Sequence, residues 1–95
     1  MSPSRSDLQR LLAEHDIRPS KALGQNFVTD QNTLDRIVRL AELAQIGTVV
    51  EVGAGLGSLT LALAGAAAPV LAIEIDKRIA AVLEQVVAGL DVEVV

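Results

Sequence analysis

The run Val49-Val50-Glu51-Val52-Gly53-Ala54-Gly55-Leu56-Gly57-Ser58-Leu59-Thr60 constrains this chain more than any other part of it. A β-branched, apolar segment ends in three alternating glycines and opens into the helical pattern of Leu59, Leu61, Ala62 and Leu63. A buried strand that passes through a tight glycine turn into a helix is the first half of a nucleotide-binding βαβ unit. Glycine takes up positive φ without steric penalty and lets backbone approach a ligand closely. The helix that follows directs its free N–H groups into the same crevice.

The chain around this turn is long enough for one domain. Its 95 residues are 51% hydrophobic, which supplies a core and argues against disorder. Only 1% are aromatic, so that core is built from Ala, Val, Leu and Ile, with Phe27 as the sole aromatic. The absence of cysteine removes disulfide frameworks and thiolate metal sites and suits a reducing cytoplasm. No metal site is expected. There is no apolar run of membrane-spanning length and no signal-peptide core. The net charge of −4 argues by itself against a nucleic-acid binder. Its distribution says more, because six of the eight basic residues (Arg5, Arg10, Arg18, Lys21, Arg36 and Arg39) precede residue 40.

Taken in order, Ser6 to Ala13 reads as a short helix, with Ser6 as cap, Gln9 at the capping-box position and Leu8, Leu11 and Leu12 on one face. His15, the only histidine, lacks a partner at ligand spacing and reads as a solvated helix-end residue. Arg18 to Lys21 reads as an extended linker, since the residue before proline is pushed out of the helical region. In the segment Lys21 to Asp30, Phe27 either simply packs a loop onto the core or anchors it while Gln25 and Asn26 present amides to a ligand. Thr29 or Asp30 caps a helix with Leu34, Ile37, Val38 and Ala41 on its inner face, closed by Gly47.

A strand over Thr48 to Val52, a helix from Gly57-Ser58 to about Ala64, and a small-residue connector lead to a second strand, Val70 to Glu74. The continuous apolarity of that strand predicts burial on both faces. Asp76 caps a further helix with Ile79, Val82, Leu83 and Val86 on one side, Gly89 stops it, and Asp91 to Val95 begins a third strand. The alternation β-α-β-α-β behind a helical lead is an α/β pattern with a parallel sheet.

Glu74 closes the second strand across the crevice from the glycine turn. A carboxylate there accepts both hydroxyls of a ribose; on its own it would be read as a surface acid at a strand end. The glycine pattern separates cofactors further. A dinucleotide fingerprint places Gly or Ala where this chain has Ser58, whereas the pattern here is Glu51-x-Gly53-x-Gly55-x-Gly57. An acid at the strand end suits a ligand with an ammonium and a sulfonium better than one with a pyrophosphate, which points to S-adenosylmethionine.

Three blocks then carry a specific resemblance: Lys21-Ala22-Leu23-Gly24-Gln25-Asn26-Phe27-Val28-Thr29-Asp30, Val50 to Thr60, and Ala72-Ile73-Glu74-Ile75-Asp76. Together, over about residues 20 to 95, they resemble the rRNA adenine N6-dimethyltransferases, most closely the small-subunit branch associated with kasugamycin sensitivity. The Leu-Gly-Gln-Asn-Phe block is the specific part; the glycine motif is common to most class I methyltransferases.

The resemblance implies the N-terminal portion of a Rossmann-like class I methyltransferase fold, with an incomplete parallel sheet. Residues 1–20 would form a helical, basic segment near the RNA entrance, and 21–95 the first part of a cofactor domain whose helical C-terminal companion is absent. It implies dimethylation of two adjacent adenosines in small-subunit rRNA, on the immature subunit, by a cytoplasmic and monomeric intact enzyme. Asn26 and the backbone of Val28 would touch the methionine part of S-adenosylmethionine, Gly53 and Gly55 would line the turn, and Glu74 would hold the ribose. Val28 stands where the family usually has leucine. The family's catalytic Asn-(Leu/Ile)-Pro-(Tyr/Phe) motif does not occur before Val95, so no catalytic residue is assigned and the 95-residue piece is expected to be inactive. With its strand at residues 48–52 lacking a fourth-strand neighbour, the piece is expected to self-associate through that edge or to be only loosely folded. A large-subunit rRNA methyltransferase of the macrolide-resistance type and a non-catalytic RNA-binding or assembly module on the same fold are the alternatives.

Overall fold

The computed structural model describes residues 4–19, 30–43, 47–66 and 69–95. In chain order these form α1 (Arg5–Glu14), α2 (Gln31–Ala41), β1 (Val49–Val52), α3 (Ser58–Gly65), β2 (Val70–Ile73), α4 (Lys77–Val86) and β3 (Val92–Val94). The strands make one parallel sheet in the order β1-β2-β3. Each strand reaches the next through a helix, as parallel pairing requires. This is the α/β, partial Rossmann-like arrangement expected from the alternation of elements. Among the described residues, no helix is long and apolar enough to cross a membrane.

Register decides what each face of the sheet does. Glu51 aligns with Ala72 and Ala72 with Val94, while Val49, Val70 and Val92 form the row below. This face is the buried one: Ala72 is fully enclosed and Val70 nearly so. Above it α3 contacts β2, α4 contacts β3, and α1 lies on α4. The alternate residues point the other way. Val50 and Val52 are 56% and 79% exposed, and Leu71 and Ile73 are only half-buried. Burial of β2 on both faces, the expectation from its continuous apolarity, is therefore corrected: helices cover one face, and no described residue encloses the other.

The helix caps explain several shifted boundaries. Ser4, not Ser6, caps α1: its hydroxyl accepts the Asp7 N–H at 3.1 Å, and the Asp7 carboxylate accepts the Ser4 N–H at 3.3 Å. The capping box thus uses Asp7 in place of Gln9, because a short acidic side chain at that position closes the reciprocal pair. Leu8 and Leu12 are completely buried, with Leu11 packed beside them. His15 is the C-cap of α1, and its Nε2 lies 3.2 Å from Gln85 Oε1 on α4. It is half-buried at a helix contact, where the sequence reading has it solvated. The backbone at Pro19 is helical, which corrects the extended linker at that residue.

Asp30 caps α2 as expected, accepting the N–H groups of Asn32 and Thr33 and the Thr33 hydroxyl at 2.8 Å. Those bonds hold its carboxyl below the usual aspartate range. The helix ends at Ala41, with Glu42 in the left-handed region at φ 51°, and Gly47 lies beyond it and is not the cap. Leu34 is buried and Val38 and Ala41 pack on the core, but Ile37 faces outward at 40% exposure. In α4, Asp76 accepts the N–H groups of Arg78 and Ile79, and Ile79, Val82, Leu83 and Val86 are all buried. That helix stops at Val86, before Gly89, which takes φ 83° in the turn leading to β3.

In a parallel ladder alternate residues bond to one side. Residue 49 donates toward Pro69 and residue 53 toward Ile73, so Val50 and Val52 turn their backbone groups to the outer edge of β1. No described strand pairs with that edge, and it carries neither lysine nor proline. We expect the 95-residue chain to self-associate through this edge, giving a scattering mass that rises with concentration. Val52→Lys, which adds an edge charge, should suppress the rise; a wild-type chain that stays monomeric throughout a dilution series would refute the expectation.

Candidate functional site

Between Val52 and Ser58 the chain turns from strand to helix in five residues. Gly53, Gly55 and Gly57 all have positive φ, at 73°, 60° and 94°. The N–H groups of Gly53 and Ala54 both donate to the Ile73 carbonyl, at 2.8 and 3.1 Å, which ties the turn to the end of β2. The Gly57 N–H donates to Ala54, and the Gly57 carbonyl accepts the first helical bond from Leu61 at 2.8 Å. Ala54 and Leu56, the residues between the glycines, are buried and pin the turn to the core. Gly57 is the N-cap of α3 and offers no side chain to its first amides.

Gly57 also has a packing role that the sequence reading did not assign. A Cβ there would come 2.8 Å from Leu83 Cδ1 and 3.5 Å from Val86 Cγ1. The bare backbone is what brings the start of α3 down onto α4. The available signal was a third glycine one position short of the dinucleotide pattern.

Glu74 reaches back across the crevice as expected. Its Oε1 accepts the Gly55 N–H at 2.7 Å, and its Oε2 accepts the Asp76 N–H at 3.0 Å. Two backbone donors from different segments thus fix one carboxylate over the turn. Each oxygen retains a lone pair for a further donor, and the side chain's rotamer freedom is already spent before any ligand arrives. Gly53, Gly55 and Glu74 therefore converge. Asn26 and Val28 lie outside the described residues.

Glu51 departs from its expected orientation toward a ligand. It is 9% exposed on the helix-covered face, and the fully buried Thr60 hydroxyl donates to its Oε1 at 2.5 Å. Burial pushes its carboxyl pKa above the ordinary value, and the Thr60 bond pulls back only in part. An acid shifted this way favours the fold most while protonated. Its contribution is full below the ordinary glutamate range and is lost as pH rises through the raised folded-state value. Thr60 was missed from sequence, although it is the polar exception within the apolar run Leu59 to Ala64.

A parallel sheet whose first strand turns through glycines beneath an acid at the end of the second defines a Rossmann-like methyltransferase fold. Two solved structures share it. One, named as an RNA methyltransferase from Pyrococcus horikoshii, is 26% identical with a TM-score of 0.62, covering 99% of this chain and 50% of that one. The other, named as an O-methyltransferase from Klebsiella pneumoniae, is 24% identical with a TM-score of 0.64, covering 98% and 44%, and speaks for the fold alone.

Within that class, the family model for ribosomal RNA adenine dimethylase matches residues 17–95, and the chain belongs to this family. Proteins named ribosomal RNA small subunit methyltransferase A are its relatives. That of Kineococcus radiotolerans is 55% identical over 90% of this chain, that of Corynebacterium jeikeium 50% over 95%, and that of Mycobacterium bovis 51% over 88%. The chain spans 29%, 30% and 26% of their respective lengths.

Gly57→Ala tests the packing of the turn. The forced contact with Leu83 should destabilise the chain by about 1–3 kcal/mol from overpacking, with left-handed strain added. Urea unfolding measures it, and an unchanged midpoint would show that Leu83 gives way freely.

Proposed function

We propose that this chain is the cofactor-binding start of a small-subunit rRNA adenine N6-dimethyltransferase that uses S-adenosylmethionine. The observation that carries the reading is the Glu74 carboxylate held over the glycine turn by the Gly55 and Asp76 amides. A vicinal diol offers two O–H donors, and this carboxylate offers two oxygens at a fixed position. The residues present fit a nucleoside, because Gly55 allows close approach and Glu74 supplies the acceptors. When bound, the cofactor supplies an electrophilic methyl group. The chain's own work is to hold it: Glu74 at the ribose, Gly53 and Gly55 beneath it, and, by family resemblance, Asn26 and the Val28 backbone at its methionine end.

The substrate in this proposal is adenosine in small-subunit rRNA of the immature subunit, reached in the cytoplasm, with the basic segment of residues 1–20 toward the RNA. An exocyclic adenine amine is a weak nucleophile because its lone pair is delocalised into the ring. Groups that accept its hydrogens and an aromatic that stacks on the base answer that problem, and stacking is worth roughly 1–3 kcal/mol per base. The Asn-(Leu/Ile)-Pro-(Tyr/Phe) motif that supplies them in the family does not occur in these 95 residues.

In the complete protein, Glu74→Ala should weaken S-adenosylmethionine binding by about 1–3 kcal/mol, the range for losing a charged hydrogen-bond partner. Asp76→Ala should remove a helix cap worth about 1 kcal/mol of stability and leave affinity nearly unchanged. Calorimetric titration of both variants decides it; wild-type affinity in Glu74→Ala would sink the ribose assignment. The 95-residue chain itself should transfer no methyl groups to immature small subunits. Tritium incorporation from labelled cofactor above a no-protein blank would contradict that.

A further inference from the structure

Glu51 and Thr60 lie nine residues apart, one two residues before Gly53 and the other three after Gly57. Their hydrogen bond therefore spans the base of the glycine turn and joins the last part of β1 to the first turn of α3. Other ties of the turn run elsewhere: Gly53 and Ala54 to Ile73, Gly55 to Glu74, and Gly57 to Ala54. None of these fixes the pitch of α3 against β1. Thr60 is fully buried and Glu51 nearly so, so water does not compete for their bond.

We propose that Glu51 is a positioning residue for the glycine turn: its carboxyl, clamped by the Thr60 hydroxyl, fixes the angle at which α3 leaves β1 and so aims the Gly55 amide at Glu74. The consequence runs through a continuous set of contacts. Glu51 holds Thr60, Thr60 holds the first turn of α3, α3 sets the Gly53–Gly57 backbone, and Gly55 holds the Glu74 carboxylate at 2.7 Å. The inference rests on the S-adenosylmethionine reading only for what the turn finally holds.

The clamp has a pH signature. Burial raises the Glu51 pKa, and ionisation places a charge in the low-dielectric space beneath the turn. Among the described residues, the adjoining elements β2 (Val70 to Ile73) and α3 (Ser58 to Gly65) carry no charged residue that would offset it. Glu74, past the end of β2, is engaged with the Gly55 and Asp76 amides.

Hydrogen–deuterium exchange on the 95-residue chain, corrected for intrinsic rates, reads the clamp without any cofactor. Thr60→Val keeps the shape of the side chain and removes the donor. It should lower protection across residues 53–59 about five- to tenfold, the size of one lost hydrogen bond, while β2 and β3 keep theirs. Thr60→Ser should restore protection. In the wild type, turn protection should fall as pH rises above the ordinary glutamate range and the carboxyl ionises, and Glu51→Gln should hold the turn while abolishing that response. Equal loss in every segment, unchanged protection in Thr60→Val, or a pH response that survives in Glu51→Gln would each overturn the proposal. Should Thr60→Val fail to fold, the comparison of wild type with Glu51→Gln decides alone. Saturating S-adenosylmethionine tests the other reading separately: no added protection at residues 53–59 counts against cofactor binding by this chain and leaves the clamp result standing.

Discussion

A strand that becomes a helix within five residues must turn its backbone sharply without stranding a buried amide. Here the problem is solved by glycine geometry at one level and by hydrogen bonds at another. Positive φ at residues 53, 55 and 57 folds the chain tightly, and the amides released by that folding find Ile73, Ala54 and Glu74. An unsatisfied buried N–H costs more than a typical hydrogen bond gains, so the partners are as necessary as the glycines. The Ile73 carbonyl accepts two of them, which makes the end of β2 part of the turn. Pairing of β1 with β2 is thus a condition for the site to exist.

The core is organised to keep that pairing in place. With almost no aromatic residues, burial comes from many aliphatic contacts: Leu8 and Leu12 on α1, Leu56 in the turn, Leu63 on α3, Val82 and Leu83 on α4. Leu83 links two tasks, because it fills the core and also lies where a Cβ on residue 57 would fall. Packing of α4 therefore sets how closely α3 approaches, and α3 begins where the turn ends. The Arg78 guanidinium bond to the Asp16 carbonyl, at 3.3 Å, and the His15–Gln85 contact fasten α1 to the same helix.

Much of this was legible in the sequence, and for identifiable reasons. The strands, the parallel order and the convergence of Gly53, Gly55 and Glu74 followed from alternation and from an acid spaced one strand beyond a glycine turn. The cap was legible at Asp76, and at Asp30 as one of two adjacent candidates. It was misread on α1, where Ser4 and Ser6 both suit a cap and the carboxylate of Asp7 selects the former. The end of α2 was misread because Glu42 adopts a left-handed conformation that glycine usually supplies, a choice made by tertiary context. Burial of β2 on one face only could not be read from its composition, since apolarity shows what a strand tolerates and not what covers it. Asn26 and Val28 lie outside the described residues.

The two acids of the site show why residue type alone underdetermines role. Glu51 and Glu74 stand at the ends of neighbouring parallel strands, and a sequence pattern gives both to the ligand. Place along the strand separates them. Glu51 shares its row with Ala72, on the face that the helices close, so its oxygen must be satisfied from within, and the Thr60 hydroxyl of α3 does so. Glu74 follows the last paired residue of β2, where the chain leaves the sheet and the side chain is free to bend toward the turn. There the available donors are backbone amides at the crevice edge, and a carboxylate that accepts from them keeps lone pairs facing outward. One acid is therefore spent on shaping the turn and the other is presented by it, a division fixed by the two residues that carry Glu74 past the partner of Glu51 and beyond the last paired position of β2.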